Sequence, residues 1–254
     1  MSDPLYSWTS GAVLHLRIPE HLGRTLHLGF EGLAYLLGLA LWLGRRQAKS
    51  QLPSGLVFAA LLGALLGAKL LFMAQHPAVL GQGPIAWLGG KTVVGGFLGG
   101  WLAIEWAKRQ MGIVQSTGDG FLPGMTLGLM LGRMGCFCLG LPDATTGSPT
   151  QLGWGVDFGD GILRHPTALY EILIVAQLFG MTRWIKPLPA GRRFRIFMLG
   201  YLSWRFVVGF IQPIPFSYAG LSAIQWVALL ASAFIGWRLI RSVQTVSPAQ
   251  GDAR

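Results

Sequence analysis

Long apolar stretches separated by short polar or basic segments run through most of the chain. A helix needs roughly 20 mainly apolar residues to cross a bilayer core about 30 Å thick. The pattern predicts seven such helices, at residues 28–44, 55–74, 92–107, 121–140, 167–185, 194–212 and 221–240. The first is not expected to be a cleavable signal peptide, because it begins far from the terminus and contains Glu31. The predicted fold is an all-α integral membrane protein, a seven-transmembrane-helix bundle forming a single transmembrane domain over residues 1–254.

Basic residues lie at alternate ends of these predicted helices. The clusters are Arg45, Arg46 and Lys49; Lys108 and Arg109; Arg183, Lys186, Arg192, Arg193 and Arg195; and Arg238 and Arg241. Cytoplasmic loops of membrane proteins are enriched in lysine and arginine. The pattern therefore predicts that these clusters are cytoplasmic, with the N-terminus outside and the C-terminus inside.

Composition supports membrane insertion over a soluble fold. Hydrophobic residues make up 52% of the 254 and charged residues only 12%, against about 25% charged residues in soluble domains. Mean hydropathy is +0.51. The net charge of +10 is therefore attributed to the basic cytoplasmic ends of the helices and to attraction between the protein and anionic lipid. No nucleic-acid partner is expected.

Residues 141–166 form a long predicted loop on the extracytoplasmic side. The run Gly-Trp-Gly-Val-Asp-Phe at 153–158 alternates like a short strand, and Gly-Asp-Gly at 159–161 is typical of a turn. We therefore expect an ordered extracytoplasmic segment within the transmembrane domain.

Two arginines lie inside predicted spans, where a cation is costly. Arg133 follows a glycine-rich apolar run, and Arg205 lies within residues 199–211. Intramembrane charges usually face the bundle interior and mark a substrate or ion pathway. The guanidinium group can also grip phosphate through two parallel hydrogen bonds. An anionic phospholipid head group is thus the first candidate ligand, although an ion pair of Arg205 with Glu171 or Glu31 would serve helix packing alone.

Further polar groups gather at the predicted outer ends of the fourth, fifth and sixth spans. Tyr201 and Arg205 share a helix face, being four residues apart. Arg164 and His165 immediately precede a predicted helix N-terminus, a favourable place for an anion, although His165 would also suit an ordinary surface position. The whole set is Arg133, Asp143, Asp157, Asp160, Arg164, His165, Tyr170, Glu171, Tyr201 and Arg205.

Cysteine and glycine positions indicate packing. Cys136 and Cys138 have no histidine or cysteine partner at metal-ligand spacing, so neither a metal site nor a disulfide is expected. Small residues four apart let membrane helices approach closely. This spacing occurs at Gly63 and Gly67, at Gly95 and Gly99, and at Gly124, Gly128 and Gly132.

Three segments carry a family resemblance. Residues 132–147 (GRMGCFCLGLPDATTG), 154–158 (WGVDF) and 164–171 (RHPTALYE) resemble the signature of bacterial prolipoprotein diacylglyceryl transferases. The likeness extends to residues 33–37, to 89–100 (GGKTVVGGFLGG), and to Tyr201, Arg205 and 212–213.

The resemblance implies transfer of a diacylglyceryl group from phosphatidylglycerol to the lipobox cysteine of a preprotein, in the bacterial inner membrane. The site would face the extracytoplasmic leaflet, and no metal or organic cofactor would be needed. Arg133 and Arg205 match the family's phosphate-handling arginines, and Tyr201 matches a nearby tyrosine. With His165 and Glu171 they are the expected catalytic residues. Expected substrate-binding residues are Arg133, Arg205, Arg164, Gly95, Gly96, Lys91, Asp143 and Tyr170.

The chain also departs from the family pattern. Val94 stands where the family has a histidine, Cys136 and Leu139 where it has asparagines, and Glu31 where it has a tyrosine. Lys91 and Asp143 could substitute for lost polar groups. Three functions therefore stay open: the family reaction, an enzyme using the same anionic donor with another acceptor, and a non-catalytic phospholipid-binding membrane protein.

Overall fold

A computed structural model describes residues 6–9, 13–46, 53–143, 145–185 and 188–244. Seven long helices occur within these residues: α1 (Glu20–Arg46), α2 (Ser54–Gln75), α3 (Val93–Gln110), α4 (Gly118–Leu139), α5 (Thr167–Trp184), α6 (Arg192–Val208) and α7 (Ala223–Gln244). Each overlaps one predicted apolar span. The predicted helical architecture is therefore confirmed for the described chain.

In the part of the chain that the structure describes, four segments are long and apolar enough to cross a membrane: Ser54–Gln75, Gly118–Leu139, Arg192–Ile211 and Ala223–Arg241. The protein is accordingly a mostly helical, multi-pass membrane protein. The seven-span count and the orientation stay predictions, as does the assignment of residues 1–254 to one domain.

Two of the helix ends that differ from the sequence prediction have a clear physical cause. Helix α1 begins at Glu20 rather than at residue 28, because its polar first turns are helical too; Arg24 Nε donates a 2.9 Å hydrogen bond to Glu20 one turn earlier. Helix α6 ends at Val208 and continues as the 3₁₀ turn Gly209–Ile211. Pro213 follows and lacks the backbone donor that a longer helix would need.

A small sheet accompanies the helices. Its strands are β1 (Tyr6–Thr9), β2 (Val13–Leu16), β3 (Val156–Asp157) and β4 (Leu163–Arg164), in that spatial order. Strand β2 runs parallel to β3, and the other neighbours are antiparallel. The predicted strand and turn in residues 141–166 are thus confirmed, whereas the N-terminal strands were missed.

The chain divides into two compact units. The first unit comprises Met1–Lys49, Phe121–Met181 and Val208–Pro213, and the second comprises Ser50–Gly120, Thr182–Val207 and Ile214–Arg254. The sheet, α1 and most of α4 and α5 belong to the first unit. Helices α2, α3 and α7 and most of α6 belong to the second.

Within the second unit, glycines bring α2 and α3 into backbone contact. A Cβ at Gly67 would lie 2.3 Å from the Gly95 carbonyl oxygen, and one at Gly99 would lie 2.2 Å from the Gly63 carbonyl oxygen. Any side chain at these positions would force the helices apart, so the predicted close packing is confirmed here. The α4 ladder differs: a Cβ at Gly124, Gly128 or Gly132 would meet no atom within 4 Å among the described residues.

Candidate functional site

A buried ion pair joins α4 and α5 in the first unit. Arg133 Nε lies 3.0 Å from Glu171 Oε1, and the side chains are only 7% and 2% exposed. A charge buried this deeply is costly unless it is paired. Glu171, considered above as a partner of Arg205, is thus paired with Arg133.

Cys136 follows Arg133 by nearly one helical turn and brings Asp143 into the same neighbourhood. Its sulfur lies 3.9 Å from Arg133 Nη1, and its thiol donates a hydrogen bond to the Asp143 carboxylate. The hydroxyl of Thr145 also donates to Asp143 Oδ2. Asp143 lies in the 3₁₀ turn Leu141–Asp143, directly after α4, so the turn itself places the carboxylate there.

His165 contacts Tyr170, which is in turn hydrogen-bonded to Trp154. Its Nδ1 lies 3.2 Å from the hydroxyl oxygen of Tyr170, and Trp154 Nε1 donates a 2.8 Å hydrogen bond to the same oxygen. The Tyr170 oxygen accepts this indole N–H and can also accept from Nδ1–H of His165, a tautomer that leaves the Nε2 lone pair available. These contacts fix the imidazole at the start of α5.

Arg164 is engaged within its own loop. Its Nη1 lies 2.7 Å from Asp160 Oδ1 and donates to the Ile162 carbonyl oxygen at 3.2 Å. The hydrogen bond from Arg164 holds the pKa of the Asp160 carboxyl below its ordinary value. A substrate contact by Arg164, as predicted, would have to form while Arg164 is also paired with Asp160.

Asp157 organises the turn between β3 and β4. Its Oδ1 accepts hydrogen bonds from the Gly159 and Gly161 backbone N–H groups at 2.8 and 2.9 Å, and its Oδ2 lies 2.9 Å from His15 Nδ1. Burial alone would raise the pKa of Asp157, but these hydrogen bonds outweigh it and hold the pKa below its usual value. Asp157 is therefore a structural anchor of the sheet.

The segment after α6 closes this region of the first unit. Gln212 Nε2 donates to Thr167 Oγ1 at 3.0 Å and to the Thr145 carbonyl oxygen at 3.2 Å. The Ser148 N–H donates to the Ile211 carbonyl oxygen at 2.7 Å. A small cavity nearby is lined by Cys136, Phe137, Thr145, Thr146, Phe158, Pro166, Thr167 and Ala168.

The second unit holds the other predicted residues. Arg205 is 6% exposed and Tyr201 is fully buried, with the Tyr201 ring 5.5 Å from that of Phe97. Gly95 is occupied by its packing against α2, Gly96 is half-buried, and Lys91 is exposed. Arg133 belongs to the first unit and Arg205 to the second, so their convergence on one ligand stays a prediction.

Comparison with known proteins decides the family. The model of the family described as prolipoprotein diacylglyceryl transferase matches residues 23–241. The chain belongs to the prolipoprotein diacylglyceryl transferase family. The resemblance found in its sequence motifs is thereby confirmed.

Its relatives in this family are matched over most of their length. A protein from Methylobacillus flagellatus is 34% identical over 254 aligned positions, covering 88% of this chain and 95% of that protein. One from Bordetella parapertussis is 33% identical over 232 positions, covering 80% and 87%. One from Actinobacillus pleuropneumoniae is 33% identical over 208 positions, covering 74% and 77%. All three are named phosphatidylglycerol–prolipoprotein diacylglyceryl transferase.

Sequence reasoning missed one cluster in this member of the family. Possible metal-ligating atoms of His27, Cys136 and Asp143 all lie within 4.8 Å of one another. Linear spacing gave Cys136 no histidine partner, because His27 comes from α1 and Cys136 from α4. Helix packing alone brings them together, so no motif in the sequence could have revealed the cluster.

Proposed function

We propose that the protein transfers the diacylglyceryl group of phosphatidylglycerol to the lipobox cysteine thiol of a prolipoprotein. The sulfur attacks the glyceryl carbon, a carbon–sulfur bond forms, the carbon–oxygen bond to phosphate breaks, and glycerol phosphate leaves. The names of the relatives support this reaction. Because negative charge develops on the oxygen of the departing glycerol phosphate, anion stabilisation is the main demand on the protein.

The buried, oriented guanidinium of Arg133 carries the proposal. Glu171 fixes its direction from α5 at 3.0 Å, so it would need little reorganisation to meet a phosphate. Preorganised donors of this kind stabilise developing charge most effectively in a dry site. We propose Arg205, also buried, as the second phosphate contact, with Tyr201 one helical turn away.

Lipid binding tests the two arginines directly. A charge-assisted hydrogen bond contributes roughly 1.5–3 kcal/mol, so Arg133→Ala and Arg205→Ala should each weaken phosphatidylglycerol binding by about tenfold or more. The lysine variants should recover only part of the affinity, because a point charge cannot reproduce the two-pronged contact. Unchanged affinity in both alanine variants would contradict the assignment.

We propose His165 as the acceptor of the thiol proton, held in place by Tyr170. A free thiol has a pKa near 8.5 and the thiolate is the nucleophile, so a base that takes the proton increases the reactive fraction. Further substrate contacts in this proposal are Arg164, Lys91, Gly95, Gly96 and Asp143.

The proposed setting is the bacterial inner membrane, with seven spans, the N-terminus outside and the site facing the extracytoplasmic leaflet. Gln151 and Ala190 are exposed and lie in segments expected on opposite sides. After replacement of Cys136 and Cys138, an impermeant thiol reagent should label Gln151→Cys, but not Ala190→Cys, in intact cells. The reverse labelling would invert the topology.

Transfer by the purified protein tests the function. Phosphatidylglycerol labelled in its acyl chains should pass label to a lipobox peptide, and neutral or zwitterionic donors should be poor substrates. A peptide with serine in place of the lipobox cysteine is the matched control. Binding of phosphatidylglycerol without any transfer to the thiol peptide would instead favour another acceptor or a non-catalytic lipid-binding role.

A further inference from the structure

We propose that His27, Cys136 and Asp143 form a binding site for a thiophilic divalent cation of the zinc class. The three side chains come from α1, α4 and the 3₁₀ turn Leu141–Asp143, all in the first unit. Their possible ligand atoms lie within 4.8 Å of one another. Three different elements therefore converge on one point with one nitrogen, one sulfur and one oxygen ligand.

One ring nitrogen of His27 is suitably placed to bind a metal ion. Its Nδ1 is buried and has no hydrogen-bond partner among the described residues, an arrangement that costs free energy unless something binds there. A Cβ on Gly135 would lie 3.3 Å from this nitrogen, so Nδ1 faces α4 beside Cys136. The absence of a side chain at Gly135 leaves the imidazole room to approach.

The opposite ring nitrogen faces a carboxylate, which a small rotation of either side chain would bring to hydrogen-bond distance. His27 Nε2 lies 3.9 Å from Glu31 Oε2, and the Tyr35 hydroxyl donates a 2.8 Å hydrogen bond to Glu31 Oε1. A carboxylate behind a ligating histidine fixes its tautomer and orientation and increases its basicity. Here it would keep the proton on Nε2 and leave the Nδ1 lone pair for the cation.

The other two ligands are also supported. Thr145 donates to the Asp143 carboxylate, which is the outer-shell hydrogen bond that orients ligating carboxylates. A thiolate at Cys136 and the Asp143 carboxylate would together balance the charge of a divalent cation. Arg133 adds no net charge here, because Glu171 pairs with it at 3.0 Å.

The ligand set selects the class of cation. Zinc is bound by thiolate, imidazole and carboxylate with bonds of about 2.0–2.3 Å, so tetrahedral ligands lie roughly 3.3–3.8 Å apart. Small side-chain rotations would close the observed separation to that range. Calcium and magnesium prefer all-oxygen sites. Three protein ligands also leave the fourth position for an exchangeable group, as in catalytic zinc sites.

An exchangeable fourth position suggests a role that rests on the proposed function. The lipobox thiol would take this position in place of a bound water, which leaves, and the thiol proton would pass to His165, the acceptor proposed above. A coordinated thiol is deprotonated outright, and the thiolate is the nucleophile. Its sulfur would then form the bond to the glyceryl carbon as glycerol phosphate leaves. The metal would thereby help to form the substrate thiolate in a protein that has Val94 where the family has a histidine.

Metal binding is tested on the full-length protein without a polyhistidine tag. After chelator treatment in detergent, equilibrium dialysis against zinc should give one tightly bound ion per chain, and cobalt should give the absorption of a cobalt–thiolate complex. Cys136→Ser should lose that absorption and at least tenfold in zinc affinity. Cys138→Ser, two residues along α4, is the matched control and should retain both.

Two further variants keep the test independent of folding. Glu31→Gln changes no ligand but should weaken zinc binding by roughly 10–100-fold, as loss of an outer-shell partner does. Zinc should raise the unfolding midpoint of Cys138→Ser and leave that of Asp143→Asn unchanged. Zinc binding that is substoichiometric, or equal in Cys136→Ser and Cys138→Ser, would overturn the site.

Activity separates this site from the proposed function. Chelation should abolish transfer to the lipobox peptide, and added zinc should restore it. Metal-loaded protein that binds zinc through Cys136 yet transfers no lipid would refute the proposed function and leave the site standing. Full transfer by chelator-treated protein without bound zinc would refute the catalytic role of the metal.

Discussion

Replacing Glu171 by glutamine removes the charge that neutralises Arg133 inside the protein. The two groups are 3.0 Å apart, with side chains 2% and 7% exposed. Breaking such a buried pair from one side typically costs about 3–5 kcal/mol, because the remaining charge stays desolvated. For a protein of this size 1 kcal/mol shifts the unfolding midpoint by roughly 2–4 °C. Glu171→Gln should therefore unfold about 6–20 °C below the parent.

The exposed pair of Arg164 and Asp160 provides the control. Its atoms are closer, at 2.7 Å, but the side chains are 16% and 31% exposed, and exposed pairs contribute at most about 1 kcal/mol. Intrinsic tryptophan fluorescence in detergent can follow both unfolding transitions. Glu171→Gln should lower the midpoint far more than Asp160→Asn, and adding Arg133→Gln to Glu171→Gln should recover part of the loss. Equal small shifts in the two single variants would refute the reasoning.

Three further outcomes are expected. Gly67→Ala should lower the free energy of unfolding by about 1–3 kcal/mol through overpacking, because its Cβ would lie 2.3 Å from the Gly95 carbonyl oxygen. Gly124→Ala is the control and should be neutral when the unfolding midpoints of the two variants are compared. The pKa of Asp157 is held below its ordinary value of 3.8. Its ionised form therefore stabilises the fold above about pH 4, and this contribution is lost as the pH falls through the lowered pKa. When unfolding midpoints are measured against pH, Asp157→Asn should show a smaller loss of stability at acidic pH than the parent. His165→Ala should reduce the transfer rate by roughly 10²–10⁴-fold, and an unchanged rate would exclude His165 as the base.

The helices were predictable because each apolar span is a local property of the sequence. Small-residue spacing likewise identified the contact between α2 and α3, since the pairs Gly63–Gly67 and Gly95–Gly99 repeat at helical period. The same spacing at Gly124 carried no contact within the described residues. Spacing shows that a close approach is possible, but only a partner helix with a matching face makes it occur.

Strands β1 and β2 could not be predicted in the same way. Their pairing to β3 joins His15 to Asp157, and neither segment is long enough to form a sheet by itself. The site shows the same limit. Arg133 and Glu171 were both predicted as functional, yet their pairing is set by the packing of α4 on α5. His27 entered no motif, and its relation to Cys136 exists only in the folded chain.

The most direct test of the account is to identify both products formed by purified protein from phosphatidylglycerol and a lipobox peptide. Mass spectrometry should find a diacylglyceryl thioether on the peptide cysteine and an equal amount of released glycerol phosphate. Arg133→Ala should form neither product at a comparable rate, because the departing phosphate would lack its buried cation. Fatty-acid release, modification of the peptide amine, or no product from phosphatidylglycerol despite lipid binding would contradict the central claim.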